Sequence, residues 1–90
     1  MNFTWNPVKR QSNLIKHGLD FAEAQTVFAG DTFTFEDRRF AYGECRFVTL
    51  GLLGVTVVVV AHTETADTIH LISMRKADKH EQRRYYKHLQ

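Results

Sequence analysis

Val55-Thr56-Val57-Val58-Val59-Val60-Ala61-His62 is a β-branched, almost unbroken apolar stretch in the middle of a 90-residue chain. A strand with one face in water alternates apolar and polar side chains, whereas four consecutive valines need cover on both faces. Residues 55–61 therefore read as a central strand sandwiched between other elements, ending at His62. The run is far below the roughly 20 apolar residues that span a bilayer, so no membrane association is expected.

Strand signals lie on both sides of it. Gly54 marks a turn, and before it residues 45–53 carry Phe47 and Thr49 on one side and Arg46, Val48 and Leu50 on the other. After it, residues 64–67 form a polar turn. Residues 68–74 return as a strand with Ile69 and Leu71 facing one way and Ile72 and Met74 the other. Phe33 and Phe35 alternate with Thr32 and Thr34, and Phe3 and Trp5 alternate with Asn2 and Thr4, adding two shorter strands.

Helices fill the gaps. Asn6-Pro7 pairs an N-cap with a proline at the first helical position, and Gly18 supplies a left-handed stop. Val8, Leu14 and Ile15 are expected to form the buried stripe of this helix, with Lys9, Arg10, Lys16 and His17 on its polar side. Asp20 and Glu23 have capping-box spacing ahead of Phe21, Ala24, Val27 and Phe28, predicting a second helix in a tight corner with the first. Asp78 and Glu81 repeat that spacing before a last helix whose apolar side is thin: Tyr85, Leu89 and Ala77. That helix is expected to lean on a partner or lie at the domain edge. The expected architecture is a single α+β domain over residues 1–90, with two N-terminal helices and a C-terminal helix packed with one antiparallel sheet.

An apolar share of 43% excludes a disordered chain, and the net charge of +2 does not by itself announce nucleic-acid binding. The tail is more basic: residues 75–90 hold Arg75, Lys76, Lys79, Arg83, Arg84 and Lys87 against Asp78 and Glu81. Such a segment suits phosphate, an acidic partner, or simply solvent. The single cysteine, Cys45, excludes an intrachain disulfide and a multi-thiolate zinc site, and the N-terminus lacks a signal-peptide pattern, so a reducing cytoplasm is expected. The five histidines show no ligand spacing, and no metal site or cofactor is expected. Without a Gly-rich phosphate loop or a G-x-S-x-G elbow, nucleotide hydrolysis and serine chemistry are disfavoured.

Several polar residues break the apolar pattern where chemistry could sit. His62, at a strand end, can trade a proton near neutral pH, although a structural histidine also fits there. Glu44 and Arg46 share a face; a hairpin about Gly54 would bring Glu44 near His62 and Arg46 near Val60, while from spacing alone a plain surface ion pair is the simpler description. Arg75 and Lys76 end the last strand, with Arg75 expected opposite Thr56, about 20 Å along the strand from His62. Lys16 and His17 suit either phosphate or the helix dipole. Tyr85 and Tyr86 suit either base stacking or packing.

Read together, several segments resemble one family. These are Phe3-Thr4-Trp5-Asn6-Pro7-x-Lys9, Ser12-Asn13-Leu14-x-Lys16-His17-Gly18, Phe21 with Glu23-Ala24, and Phe28. Further on come Gly43-Glu44-x-Arg46-Phe47, Leu50-Gly51, the valine run into His62-Thr63-Glu64, Ile72-Ser73-x-Arg75-Lys76-Ala77, and Glu81 with Arg83, Arg84 and Tyr85. In this order, over nearly the whole chain, the pattern resembles the BrnT toxins. The resemblance implies a RelE-like fold and metal-independent RNA cleavage that inhibits translation. It also implies a BrnA-like antitoxin that binds DNA through a ribbon-helix-helix element, so that this chain meets DNA only indirectly, in a dimer or heterotetramer. On that basis Glu44 and His62 are the candidates for proton transfer, Arg46 and Arg75 for phosphate charge, and Lys9, His17 and Lys76 for guiding RNA. BrnT-like chains usually carry basic residues where this one has Thr65, Thr68 and His70. A catalytically degenerate, antitoxin-binding subunit of a repressor complex is the alternative this departure raises.

Overall fold

The structure, a computed structural model, describes every residue except 40 and 42. Five strands, β1 (Asn2–Trp5), β2 (Phe33–Asp37), β3 (Arg46–Leu53), β4 (Thr56–Glu64) and β5 (Thr68–Lys76), form one sheet in the order β1-β5-β4-β3-β2. β4 is central, as its apolar run requires, and runs on past His62 to Glu64. Val57 to Val60 are all buried, alternating between two cores. Val58 and Val60 face Leu19, Phe21, Ala24 and Val27, while Val57 and Val59 face Val48, Leu50, Ala77 and Tyr85.

The sheet is mixed rather than antiparallel. Successive strands from β2 to β5 pair antiparallel, but β1 is joined to the rest through helices and lies parallel to β5 at the sheet edge. The β3–β4 hairpin turns over Gly54 and Val55, with Gly54 at φ 63°, a conformation that favours glycine. A bulge on β5 leaves Ile72 without a partner, because Leu71 pairs with His62 and Ser73 with Ala61. The extra residue turns Met74 onto the face of Ile69 and Leu71, so the strict alternation expected across residues 69–74 does not hold.

α1 (Pro7–His17) begins with Asn6 Oδ1 accepting from the Val8 and Lys9 amides and ends at Gly18, φ 71°. It does not bury the expected stripe. Val8 and Ile15 are 76% and 77% exposed, and the buried residue of this helix is Asn13. The reason lies in the sheet edge: β1 stops opposite Leu71, so at Met74, which pairs with Val60 on its inner side, the outer edge of β5 has no neighbouring strand. The Asn13 side chain takes that place, accepting from Met74 N–H at 3.1 Å and donating to Met74 O at 2.9 Å and Leu19 O at 3.1 Å.

The second helix is shorter than the pattern suggested: one 3₁₀ turn (Phe21–Glu23) capped by Asp20, then α2 (Ala24–Ala29). Arg10 fixes the corner by a paired contact to Asp20 at 2.7 and 2.9 Å, which with the Ala22 amide holds that carboxyl down at about 2. α2 lies so close to β3 that a Cβ on Gly51 would sit 2.7 Å from Val27 Cγ1. α3 (Lys79–His88) covers the opposite face of the sheet. Of its expected thin apolar side, Tyr85 is completely buried and donates its hydroxyl to Asp31 O at 2.9 Å, Ala77 just before the helix is buried, and Leu89 is left exposed. No described helix is long and apolar enough to cross a membrane.

Candidate active site

The capping box at the start of α3 shapes a polar concavity on the sheet. Asp78 accepts from the Glu81 amide at 2.8 Å, and Glu81 accepts from the Asp78 amide at 3.0 Å. Because the N-cap of the helix, Asp78, comes three residues after Arg75, Glu81 returns over the strand end and clamps Arg75 through two 2.8 Å hydrogen bonds. The Arg75 guanidinium holds the Glu81 carboxyl below its ordinary value, keeping the pair ionised.

Around this clamp opens a cleft of about 290 Å³ between the sheet and α3. Val48, Val59 and Ala61 line its apolar part, while Arg39, Ser73, Arg75, His80 and Arg84 bring polar groups into it. Arg39 is itself held by the buried Asp37 through contacts of 2.9 and 3.0 Å. Three arginines, one imidazole and a hydroxyl thus share one concavity with the carboxylates of Asp78 and Glu81. Their chemistry suits a phosphodiester, with cations for the phosphoryl oxygens and a group able to exchange a proton.

The residues expected from the sequence distribute unevenly. Arg75 is in the cleft, but opposite Val59 rather than Thr56, three residues from His62 and roughly 10 Å along the strand. Arg46 pairs with Asp37 across β2–β3 and shares the face of Val48, next to the cleft; Glu44 contacts it at 3.2 Å. The hairpin register differs from the expected one by three residues: Phe47, not Glu44, lies opposite His62. The two-residue turn at Gly54-Val55 sets this register, and it parts Glu44 from His62.

His62 is fully buried on the other face of the sheet, between the rings of Phe28 at 5.2 Å and Phe47 at 6.0 Å. Its Nε2 lies 2.7 Å from Thr49 Oγ1, which in turn meets Thr34 Oγ1 at 2.7 Å. Its Nδ1 lies 3.3 Å from Glu64 Oε1 but outside hydrogen-bonding geometry. Burial pushes the imidazole down from 6.5 to about 4, so it is neutral near pH 7 and has no surface for a substrate.

Lys9 and His17 line a separate shallow depression with Ser12, Lys16 and Ile72, and Ser73 borders both this depression and the cleft. Lys76 is exposed at the end of β5 and lines neither. Of the two tyrosines, Tyr85 is sealed in the core and Tyr86 is half exposed beside Lys79, Arg83 and Lys87 on the outer side of α3. Sequence reasoning missed Arg39, His80, Glu81 and Arg84. The signal for the last three was present in the Asp78–Glu81 box directly after Arg75, which turns the first helical residues back over the strand end.

Comparison with known proteins agrees with this architecture. Residues 5–81 match the family described as "Ribonuclease toxin, BrnT, of type II toxin-antitoxin system". Among solved structures, the chain is similar to the Brucella abortus ribonuclease toxin BrnT, with 28% identity and a TM-score of 0.68 over 88% of this chain and 99% of that one. No curated protein gave a significant match.

Proposed function

The chain belongs to the BrnT family of ribonuclease toxins of type II toxin–antitoxin systems, and from that premise we propose that it cleaves RNA, without a metal ion, in the cleft beneath α3. The observation that carries this reading is the convergence of Arg39, Arg75 and Arg84 with His80 on one face of a rigid sheet. In such a reaction the ribose 2′-oxygen loses its proton and attacks the adjacent phosphorus, and the 5′-oxygen leaves with a proton. Arg75 and its neighbours, with Arg46 at the margin, stabilise charge on the phosphoryl oxygens. His80 exchanges a proton. Glu81 acts through Arg75 and Glu44 through Arg46, as positioning residues. His62 acts only through packing.

Lys9, His17 and Lys76 are proposed to guide RNA outside the cleft, since Ser73 connects the α1 depression to it. Thr65, Thr68 and His70, where basic residues are usual in the family, line neither concavity, so the cationic set around Arg75 is retained. A BrnA-like ribbon-helix-helix antitoxin neutralises the toxin, in a RelE-like fold assembled as a dimer or heterotetramer within the cytoplasm. Purified protein incubated with a defined transcript in excess chelator tests the activity. Cleavage that persists in chelator and stops on adding the co-expressed antitoxin is expected; cleavage that needs added divalent ion would contradict it.

A further inference from the structure

At one end of the cleft, four side chains of β2 and α3 form a continuous stack. The rings of Phe33 and Phe35, on one face of β2, are 5.5 Å apart. The Arg84 guanidinium lies over both, 4.2 Å from the Phe35 ring centre and 5.1 Å from that of Phe33. His88, one helical turn on, stacks on Phe33 at 4.4 Å with only 20° between the rings. Arg84 and His88 are exposed, whereas the phenylalanines are half-buried.

Arg84 differs from the arginines around it. Arg39, Arg46 and Arg75 each meet a carboxylate, but Arg84 meets none among the described residues. Its orientation comes from aromatic rings, so its charge is left unneutralised. A lysine stem would cover the same rings equally well; a flat cation adds a surface on which another flat group can stack.

We propose that Arg84, Phe35, Phe33 and His88 form a shelf that binds an unpaired purine base flanking the scissile phosphate, by stacking rather than by hydrogen bonds to the base edge. This rests on the reading of the cleft as an RNA site. Arg84 and Phe35 both line the cleft that holds Arg75, so a base on the shelf lies beside a phosphate on Arg75. Single-stranded RNA is commonly held by bases stacked on aromatic rings and guanidinium planes, and a purine offers the larger face.

The test compares the affinity of the protein for a 2′-O-methyl oligoadenylate, which cannot be cut through its 2′-oxygen, with its affinity for the same backbone carrying abasic residues. Wild type should prefer the oligoadenylate by about tenfold. Arg84→Lys, which keeps the charge at an exposed position, should lose most of that preference while still binding both in a salt-dependent way, and Phe35→Leu should do the same. Unchanged preference in Arg84→Lys would overturn the shelf. Base preference in a protein that cuts no unmodified RNA would leave the shelf standing and reject the ribonuclease reading instead.

Discussion

Arg75 and Glu81 are joined by two parallel 2.8 Å hydrogen bonds, and the same Glu81 carboxylate caps α3 through the Asp78 amide. One side chain thus ties the helix start to the cation proposed to meet phosphate. Glu81→Gln separates the two tasks, because glutamine still serves a capping box but cannot clamp a guanidinium with two anionic oxygens. The melting temperature should change by the equivalent of less than about 1 kcal/mol, since the pair is partly exposed. RNA cleavage should fall about tenfold, in kcat rather than KM. Unaltered kcat would leave Glu81 as a cap alone.

Asn13 is the second place where a polar side chain organises the site, since it holds α1 against the edge of β5 next to Ser73 and Arg75. Asn13→Ala leaves the buried Met74 amide and carbonyl without partners and should cost about 2–3 kcal/mol. Asn13→Asp cannot donate to Met74 O and should cost at least as much. Denaturant unfolding of both variants checks this, and a loss below about 0.5 kcal/mol would show that water substitutes freely.

The central strand, the Asn6-Pro7 and Gly18 limits of α1 and the capping box of α3 were legible because each is a local signal in adjacent residues. The exposure of Val8 and Ile15 was not, because what α1 buries depends on a stretch of the outer edge of β5, left uncovered by β1, some 60 residues away. Likewise, Ile72 looks like any strand residue until a bulge shifts the register behind it. Arg75 stood out at its strand end, whereas Arg39 and Arg84 entered the site only once β2 and α3 converged over the same sheet face. His62 was misplaced for a single reason: the strand continues two residues beyond it, burying it rather than presenting it.

His62 makes the stability of the fold depend on pH. Its folded value is depressed to about 4 from 6.5 by burial, so the unfolded chain takes up a proton that the folded one refuses. The stabilising contribution is complete above pH 6.5 and is lost as pH falls toward 4, with a slope of at most about 1.4 kcal/mol per unit. Thermal unfolding between pH 7.5 and 4.5 should show this decline, and His62→Phe should flatten it. A variant with the wild-type slope would assign the dependence to other groups.

Gly51 lets α2 reach β3. Gly51→Ala places a methyl group 2.7 Å from Val27 Cγ1 and 3.2 Å from Thr32 Cγ2, and should cost about 1–3 kcal/mol by overpacking. Gly51→Ala combined with Val27→Ala should recover part of that loss; calorimetry on the single and double variants measures the coupling.

The central claim, that chemistry occurs under α3 and not around the buried imidazole, is tested most directly by single-turnover cleavage of one defined RNA by Arg75→Ala, His80→Ala and His62→Phe side by side. Arg75→Ala should lose about a hundredfold or more in rate, and His80→Ala a comparable factor, with melting temperatures near that of wild type. His62→Phe should cleave at close to the wild-type rate at a temperature where it is folded. The opposite result, folded His62→Phe inactive while Arg75→Ala and His80→Ala remain fully active, would contradict the account.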